Sequence, residues 1–247
     1  MKLNIYPDNQ ALSAQVANEV IALIKRSPDA VFCLASGDTP RLTCQLIAQK
    51  AINDGIDFSK CTFVGLDEWL AVPPENEGSC HNFFKTLLIE PLQLSPNQTF
   101  LFDALAKNPQ EECKKMDEKI LNKGGIDLMV VGIGMNGHIG FNEPGISFDK
   151  YSHVADLDKT TVTVGQKYFS TPIDLKQGIT LGLKHLMESK RVILMANGKK
   201  KAAVIAKAVG EEISNQFPAT IIQRHQNGEV AIDEEASSEL NLKIIQS

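Results

Sequence analysis

Three features of the 247-residue sequence predict an α/β fold, with a single doubly wound, mainly parallel sheet and helices on both of its faces. Short apolar runs bounded by glycine and proline recur along the chain. Segments with the helical period of apolar residues separate those runs. No linker, repeat or break in composition divides the chain, so residues 1–247 read as one domain. A strand buried on both faces reads as a continuous apolar run, and regular alternation of such strands with helices implies βαβ units.

The elements follow in order. Residues 3–6 suit an edge strand. Leu12, Val16, Val20 and Leu23 recur at steps of 4, 4 and 3, one face of a helix. Residues 30–35 (AVFCLA) form a buried strand that runs into a polar turn. A helix over residues 40–51 carries Leu42, Leu46 and Ile47 on one face. Residues 62–66 form the next strand. A polar surface helix over residues 108–122 turns Met116, Ile120 and Leu121 inward. Residues 126–133 (IDLMVVGI) form a strand and 192–196 (VILMA) another, followed by a helix over the Ala- and Lys-rich residues 199–209. Residues 220–222 and 230–232 supply two further strands. Residues 144–175 have weaker periodicity and are a candidate lid or insertion.

Composition narrows the function classes. Hydrophobic residues make up 43% and charged residues 22%, which excludes a wholly disordered chain. With 25 basic and 30 acidic residues the net charge is −5, so no broad basic footprint for nucleic acid is present. An acidic chain that binds an anion must build a local basic site. No apolar run approaches the roughly 18–20 residues that span a bilayer, which predicts no membrane partner. The N-terminal MKLNIYPDNQ lacks an apolar signal core. The five cysteines, Cys33, Cys44, Cys61, Cys80 and Cys113, are scattered without a CxxC pair. They predict free thiols in a reducing cytoplasm, with neither a disulfide framework nor a zinc site.

Four segments at strand ends carry chemistry, and ligands in such folds sit beyond the carboxyl ends of the strands. In Ser36-Gly37-Asp38-Thr39-Pro40 a glycine turn leads into a helix, with Thr39 suited to the N-cap and Pro40 to the first helical position. Such a turn exposes backbone N–H groups to a phosphate. In Leu66-Asp67-Glu68-Trp69 two carboxylates follow a strand, and extended backbone points them to opposite sides. One can face a crevice while the other makes structural bonds. The segment GIGMNGHIGFNEP, residues 132–144, places four glycines around His138, with Glu143 five residues on. A histidine titrates near neutrality, and a carboxylate can orient it. Gly198-Lys199-Lys200-Lys201 offers a cation at another helix start. Each segment also has a plain reading: a capped βα turn, a capping acid beside a solvated one, a core or surface histidine, a solvated lysine run. Together they describe a phosphate-binding crevice holding two carboxylates and a histidine, suited to general acid–base work on a phosphorylated small molecule.

SGDTP, FVGLDEW, GIGMNGHIGFNEP and GKKKA occur in the order and spacing of the glucosamine-6-phosphate deaminase family, a Rossmann-like group in a superfamily shared with 6-phosphogluconolactonase. The resemblance spans roughly residues 11–232. FNEP favours the deaminase branch, and the segments FVGLDEW, GSC (residues 78–80) and NGHIGFNEPG most resemble the galactosamine-6-phosphate deaminase/isomerases. The resemblance implies conversion of a 2-amino-2-deoxyhexose 6-phosphate and water to a ketohexose 6-phosphate and ammonium, without metal or organic cofactor. It implies that His138 assists ring opening, that Asp67 moves a proton between C2 and C1, and that Glu143 partners the histidine. Ser36, Gly37, Asp38 and Thr39 match the phosphate and sugar loop, Lys201 the phosphate lysine, and Lys167 a phosphate arginine. The implied partner is a sugar phosphate; a homo-oligomer is compatible with the family.

Three departures from the family pattern stand out. Asn136 stands where the glucosamine enzymes have an aspartate in the histidine relay, and it matches the galactosamine type. Lys167 keeps the charge of an arginine but loses its bidentate geometry. Ile146, His153 and Ala155 occupy the places of the family's allosteric phosphate site. The alternatives are a 6-phosphogluconolactonase and, through the uncharged Asn136, a non-catalytic sugar-phosphate sensor. The changed allosteric positions predict no activation by N-acetylglucosamine 6-phosphate; a rate increase on adding it would refute that expectation.

Overall fold

A computed structural model describes residues 1–241. In chain order its strands and α-helices are β1 (Lys2–Tyr6), α1 (Asn9–Arg26), β2 (Val31–Leu34), α2 (Asp38–Asn53), β3 (Thr62–Gly65), β4 (Asp67–Trp69), α3 (Cys80–Phe84), β5 (Thr99–Phe100), α4 (Pro109–Asn122), β6 (Leu128–Val131), β7 (His153–Asp156), α5 (Lys159–Gly165), β8 (Gln177–Thr180), α6 (Leu183–Glu188), β9 (Val192–Ala196), α7 (Ala202–Gly210) and β10 (Gly228–Asp233). Seven strands form one parallel sheet in the order β1-β10-β9-β6-β2-β3-β5. β4, β8 and β7 form a separate antiparallel sheet.

The apolar runs behave as strands because both faces of the parallel sheet are covered. Phe32 and Leu34 of β2, Leu128 and Val130 of β6, and Ile193 and Met195 of β9 pack on the side of α1 and α2. Their neighbours Val31, Cys33, Met129, Val131, Val192 and Leu194 pack on the opposite side, against α4 and α7. Side chains alternate between faces, so a doubly covered strand needs apolar residues at every position. α1 is capped by the Asp8 carboxylate, which accepts from the Ala11 N–H. α4 is capped by Asn108 and starts with Pro109. Met116 and Ile120 are buried as expected, but Leu121 is 76% exposed and Cys113 takes the inner face instead.

The strand order creates the crevice. From β2 the chain winds outward to β3 and β5; from the adjacent β6 it winds the other way, to β9 and β10. The carboxyl ends of β2 and β6 therefore release their loops in diverging directions, the arrangement that leaves a ligand site in open α/β sheets.

Leu66 passes the chain from one sheet to the other. Its N–H donates to Leu34 O, extending the parallel sheet, and its carbonyl accepts from Leu181 N beside β8. Trp69, at the end of β4, packs on Phe141 at 4.6 Å between ring centroids and on Phe169 at 6.2 Å. That aromatic group joins the second sheet, the loop after β6 and the segment after α5.

Three expectations are corrected. Residues 220–222 are not a strand: Pro218–Arg224 is a 3-10 helix with Pro218 in its first turn. A short apolar run does not distinguish a strand from a buried helical turn. Here the Thr220 hydroxyl bonds to the carbonyls of Ser214 and Phe217, closing a turn. The N-cap of the second helix is Gly37, not Thr39, so Pro40 falls at the third helical position rather than the first. The first four helical N–H groups lack intrahelical acceptors, so a proline there still loses no bond. Within residues 144–175, His153–Asp156 is a strand of the second sheet, paired with Gln177–Thr180, and so is part of the framework. α5 and the 3-10 turn Gln166–Tyr168 carry the side chains that face the crevice.

Trp69→Ala is expected to lower stability by about 3 kcal/mol, the usual cost of deleting a buried aromatic ring. Urea denaturation followed by far-UV circular dichroism measures it; an unchanged midpoint would show that the two sheets do not depend on this contact.

Candidate active site

All four segments open into one cavity at the β2–β6 divergence. Its wall includes Ser36, Gly37, Asp38 and Thr39 from the turn after β2, Asp67 from β4, Asn136 and His138 from the loop after β6, Lys167 beyond α5, and Lys201 beyond β9. Glu143 is absent from that wall and lies behind His138.

The turn after β2 is shaped by Gly37, whose φ of +108° suits glycine and whose α-carbon faces the Tyr168 hydroxyl. The start of α2 lines the cavity and has no side-chain cap, and the free N–H groups of a helix start suit an anion. The Lys167 ammonium pairs with the Asp38 carboxylate across the mouth. Hydrogen bonding and the charge of Asp38 outweigh burial and hold the Lys167 ammonium above its ordinary range.

Lys201 donates to the carbonyl of Ile133 at 2.6 Å. Burial, helped by the neighbouring charge of Lys167, lowers its pKa to about 8. The rest of the lysine run is structural. The Gly198 N–H donates to both carboxylate oxygens of Asp233 and the Lys199 N–H to Glu235, so the chain's own acids fill the helix start proposed to face an anion.

Asp67 and Glu68 point to opposite sides of β4. Glu68 is 2% exposed and accepts from the N–H groups of Trp69, Cys80 and His81 and from the Ser79 hydroxyl. It satisfies the free N–H groups at the start of α3, which no intrahelical acceptor can reach. Burial still raises its pKa, since those bonds offset only part of the cost. Asp67 is half-buried and faces the cavity. Burial, then the neighbouring Glu68 charge, push its pKa up to about 7, against a smaller opposing contribution from the Cys80 thiol.

The loop after β6 brings His138 and Glu143 together. The imidazole Nδ1 lies 3.2 Å from Glu143 Oε2 and 3.0 Å from the Thr161 hydroxyl. Asn136 links the group, with its Nδ2 donating to Glu143 Oε2 at 2.8 Å and its Oδ1 accepting from the His138 N–H at 3.2 Å. Burial pushes the Glu143 carboxyl up, but its hydrogen bond and charge interaction with His138, with bonds from Thr161 and Asn136, hold it below the ordinary value. Nδ1 is thus committed to the protein, leaving Nε2 as the nitrogen free for a substrate. Gly134 lets the ring lie flat on the loop, since a Cβ there would stand 2.1 Å from the imidazole.

Four cavity residues carry little sequence signal. Thr161 and Tyr168 lie in the weakly periodic stretch, Arg41 reads as a helix surface residue, and Cys80 reads as one of five scattered thiols. Only the segment GSC pointed at the last. Among the described residues, no group of three or more His, Cys, Asp or Glu is placed to hold a metal ion, and no helix is long and apolar enough to cross a membrane.

A parallel sheet with this reversal, and a carboxylate-backed histidine, acids and lysines around one crevice at the strand ends, define an α/β protein with a small-molecule site at its switch point. The family described as glucosamine-6-phosphate isomerases/6-phosphogluconolactonase matches residues 7–232, and the chain belongs to it. A glucosamine-6-phosphate deaminase from Shouchella clausii is 36% identical over 230 residues, covering 93% of both chains. One from Clostridium botulinum strain Loch Maree is 35% identical over 244 residues, covering 98% of this chain and all of the relative. The solved structure of a monomeric glucosamine-6-phosphate deaminase superposes with a TM-score of 0.93 at 32% identity, covering 97% of this chain and all of the other. A 6-phosphogluconolactonase from Trypanosoma brucei shares the fold, with a TM-score of 0.75 at 19% identity over 97% of this chain and 98% of the other.

The raised pKa of Asp67 has a stability consequence. Between roughly pH 4 and 7 the folded protein keeps a proton on Asp67 that the unfolded chain has released, so this group destabilises the fold as pH rises through that window. Asp67→Asn is therefore expected to gain about 1–2 kcal/mol over the parent at pH 8, discounted for the open crevice, and close to nothing at pH 4. Urea unfolding at the two pH values measures the difference; an equal effect at both would place the Asp67 pKa near that of a free carboxyl.

Proposed function

We propose that the chain is a hexosamine-6-phosphate deaminase/isomerase, working as one catalytic unit in which α5 and the 3-10 turn after it cover the substrate. The observation that carries this reading is His138, backed by Glu143 at 3.2 Å, in one cavity with the neutral-range carboxylate of Asp67 and two lysines. The full-length similarity to glucosamine-6-phosphate deaminases supports it.

The chemistry follows from the groups. A phosphate dianion bound at the α2 N-terminus raises the proton affinity of Lys201, keeping it fully charged, and competes with Asp38 for Lys167. It anchors the sugar away from the reacting atoms and fixes its orientation. His138, through Nε2, carries a proton to or from the ring oxygen as the ring opens, and Glu143 stabilises the imidazolium. Asp67 takes the C2 proton and returns it to C1, which leaves an imine at C2. Water adds to that imine and ammonium departs, giving the ketohexose 6-phosphate. A carboxyl titrating at about 7 suits this step, because it accepts and releases a proton at neutral pH.

The curated relatives make glucosamine 6-phosphate the first substrate to assay. Galactosamine 6-phosphate is the second reading, favoured by the GSC and NGHIGFNEPG segments and by Asn136. The purified protein is expected to release ammonium from one of these amino sugars. Acid release from 6-phosphogluconolactone alone would move it to the lactonase branch, and binding without turnover would make it a sensor. In the active protein, Asp67→Asn is expected to lower kcat by at least about 100-fold with little change in substrate affinity, the scale of a lost general base. Near-normal turnover of that variant would remove Asp67 from the mechanism.

A further inference from the structure

The Cys80 side chain joins two parts of the cavity that the sequence treats separately. The Ser36 hydroxyl donates to Cys80 Sγ at 3.0 Å, and Cys80 Sγ donates to Asp67 Oδ1 at 3.8 Å. Cys80 is 5% exposed and is fixed at the first position of α3, where its N–H donates to Glu68. Glu68 thus sets the place of the thiol through the backbone, while the adjacent Asp67 receives its proton.

We propose that Cys80 is a positioning residue for Asp67 that also transmits the ionisation state of this carboxyl to Ser36 on the phosphate and sugar loop. The inference rests on the reading of Asp67 as the base. Ser36 and Cys80 each carry one proton. With Asp67 ionised, both protons point toward it, and the Ser36 oxygen turns its lone pairs to the cavity. With Asp67 protonated, its own O–H donates to Cys80, the thiol donates to Ser36, and the serine proton is free to point at the substrate. The reversal needs only rotation about C–O and C–S bonds, so no proton changes owner. Ser36 thereby presents an acceptor to the substrate when the base is ready and a donor after the base has taken the C2 proton.

The thiol has no competing role as a nucleophile. Burial, then the charges of Glu68 and Asp67, push its pKa well above the ordinary thiol value, and the thiolate is the reactive form. The other titratable groups that interact with Asp67 through charge are Glu68, which points to the other side of the same strand, and Cys33 on β2. His138, Lys167, Lys201 and Asp38 share the cavity wall.

The test compares the parent, Cys80→Ala and Cys80→Ser by two measurements. One is the carbon-13 NMR titration of the Asp67 carboxyl, which needs no turnover. The other is the pH dependence of kcat and KM with whichever amino-sugar phosphate the parent converts. Cys80→Ala is expected to raise the Asp67 titration and the acid limb of kcat by about 0.5 pH unit, the scale of one weak hydrogen bond lost, and to raise KM about threefold as Ser36 loses its orientation. Cys80→Ser keeps a donor and is expected to stay with the parent in both. An Asp67 titration that coincides in the parent and Cys80→Ala overturns the inference. So does a shift that Cys80→Ser shares, because lost volume would then be its cause. If Cys80→Ala does not fold, a Cys80→Ser titration displaced upward by that same amount overturns it and one matching the parent upholds it. A parent that converts no amino sugar, with the titration shift present, would sink the deaminase reading and leave the hydrogen-bond relay standing.

Discussion

The Leu66 N–H donates to Leu34 in the parallel sheet, and its carbonyl accepts from Leu181 beside the antiparallel one. One peptide unit later the chain has changed sheets. That transfer sets the direction of Asp67, because the side chain that follows a strand is aimed by the last ladder bonds the backbone makes. It also sets Glu68, which turns the other way and closes the start of α3 with three hydrogen bonds, from the Ser79 hydroxyl and the N–H groups of Cys80 and His81. Asp67, the thiol beside it and the helix that presents the thiol all depend on this crossing. The histidine loop reaches the same place from β6, where the sheet reverses its winding.

Charge is arranged locally against an unfavourable total. A chain of net charge −5 gathers two ammonium groups at one end of its cavity, and they interact with one another. Asp38 offsets part of that repulsion by pairing with Lys167. Lys201 is half-buried with a neutral carbonyl as its partner, so no carboxylate bonded to it neutralises its charge. At the other end, Glu143 is shielded behind His138 and kept ionised by donors on three residues, whereas Asp67 has a sulfur donor and a like-charged neighbour. The carboxyl at the wall of the crevice and the one behind His138 are thus driven in opposite directions by their surroundings.

The parallel sheet is legible because its central strands β2, β6 and β9 are apolar on both faces, a signal that needs no partner to be recognised. The second sheet is not. DEW, HVAD and QGIT are short and mixed in polarity, and they form strands only because Leu66 delivers the chain beside β8 and Trp69 anchors it on Phe141. The apolar run at residues 220–222 misled for the opposite reason, since burial alone does not fix the backbone as extended. In the site, the glycine-rich segment around His138 and the paired acids carried enough pattern to be found. Cys80, Thr161, Tyr168 and Arg41 did not, because each comes from a different element and meets the others only through the tertiary fold.

Trp69 is the sole indole of the chain, and its ring borders the cavity between Phe141 and Phe169. Indole emission, excited beyond the absorption of the three tyrosines, therefore originates at one point, where the histidine loop, the second sheet and the segment after α5 meet. The molecule carries its own optical reporter: ligand binding can be timed in a stopped-flow instrument from a single indole, with no dye attached and no residue changed.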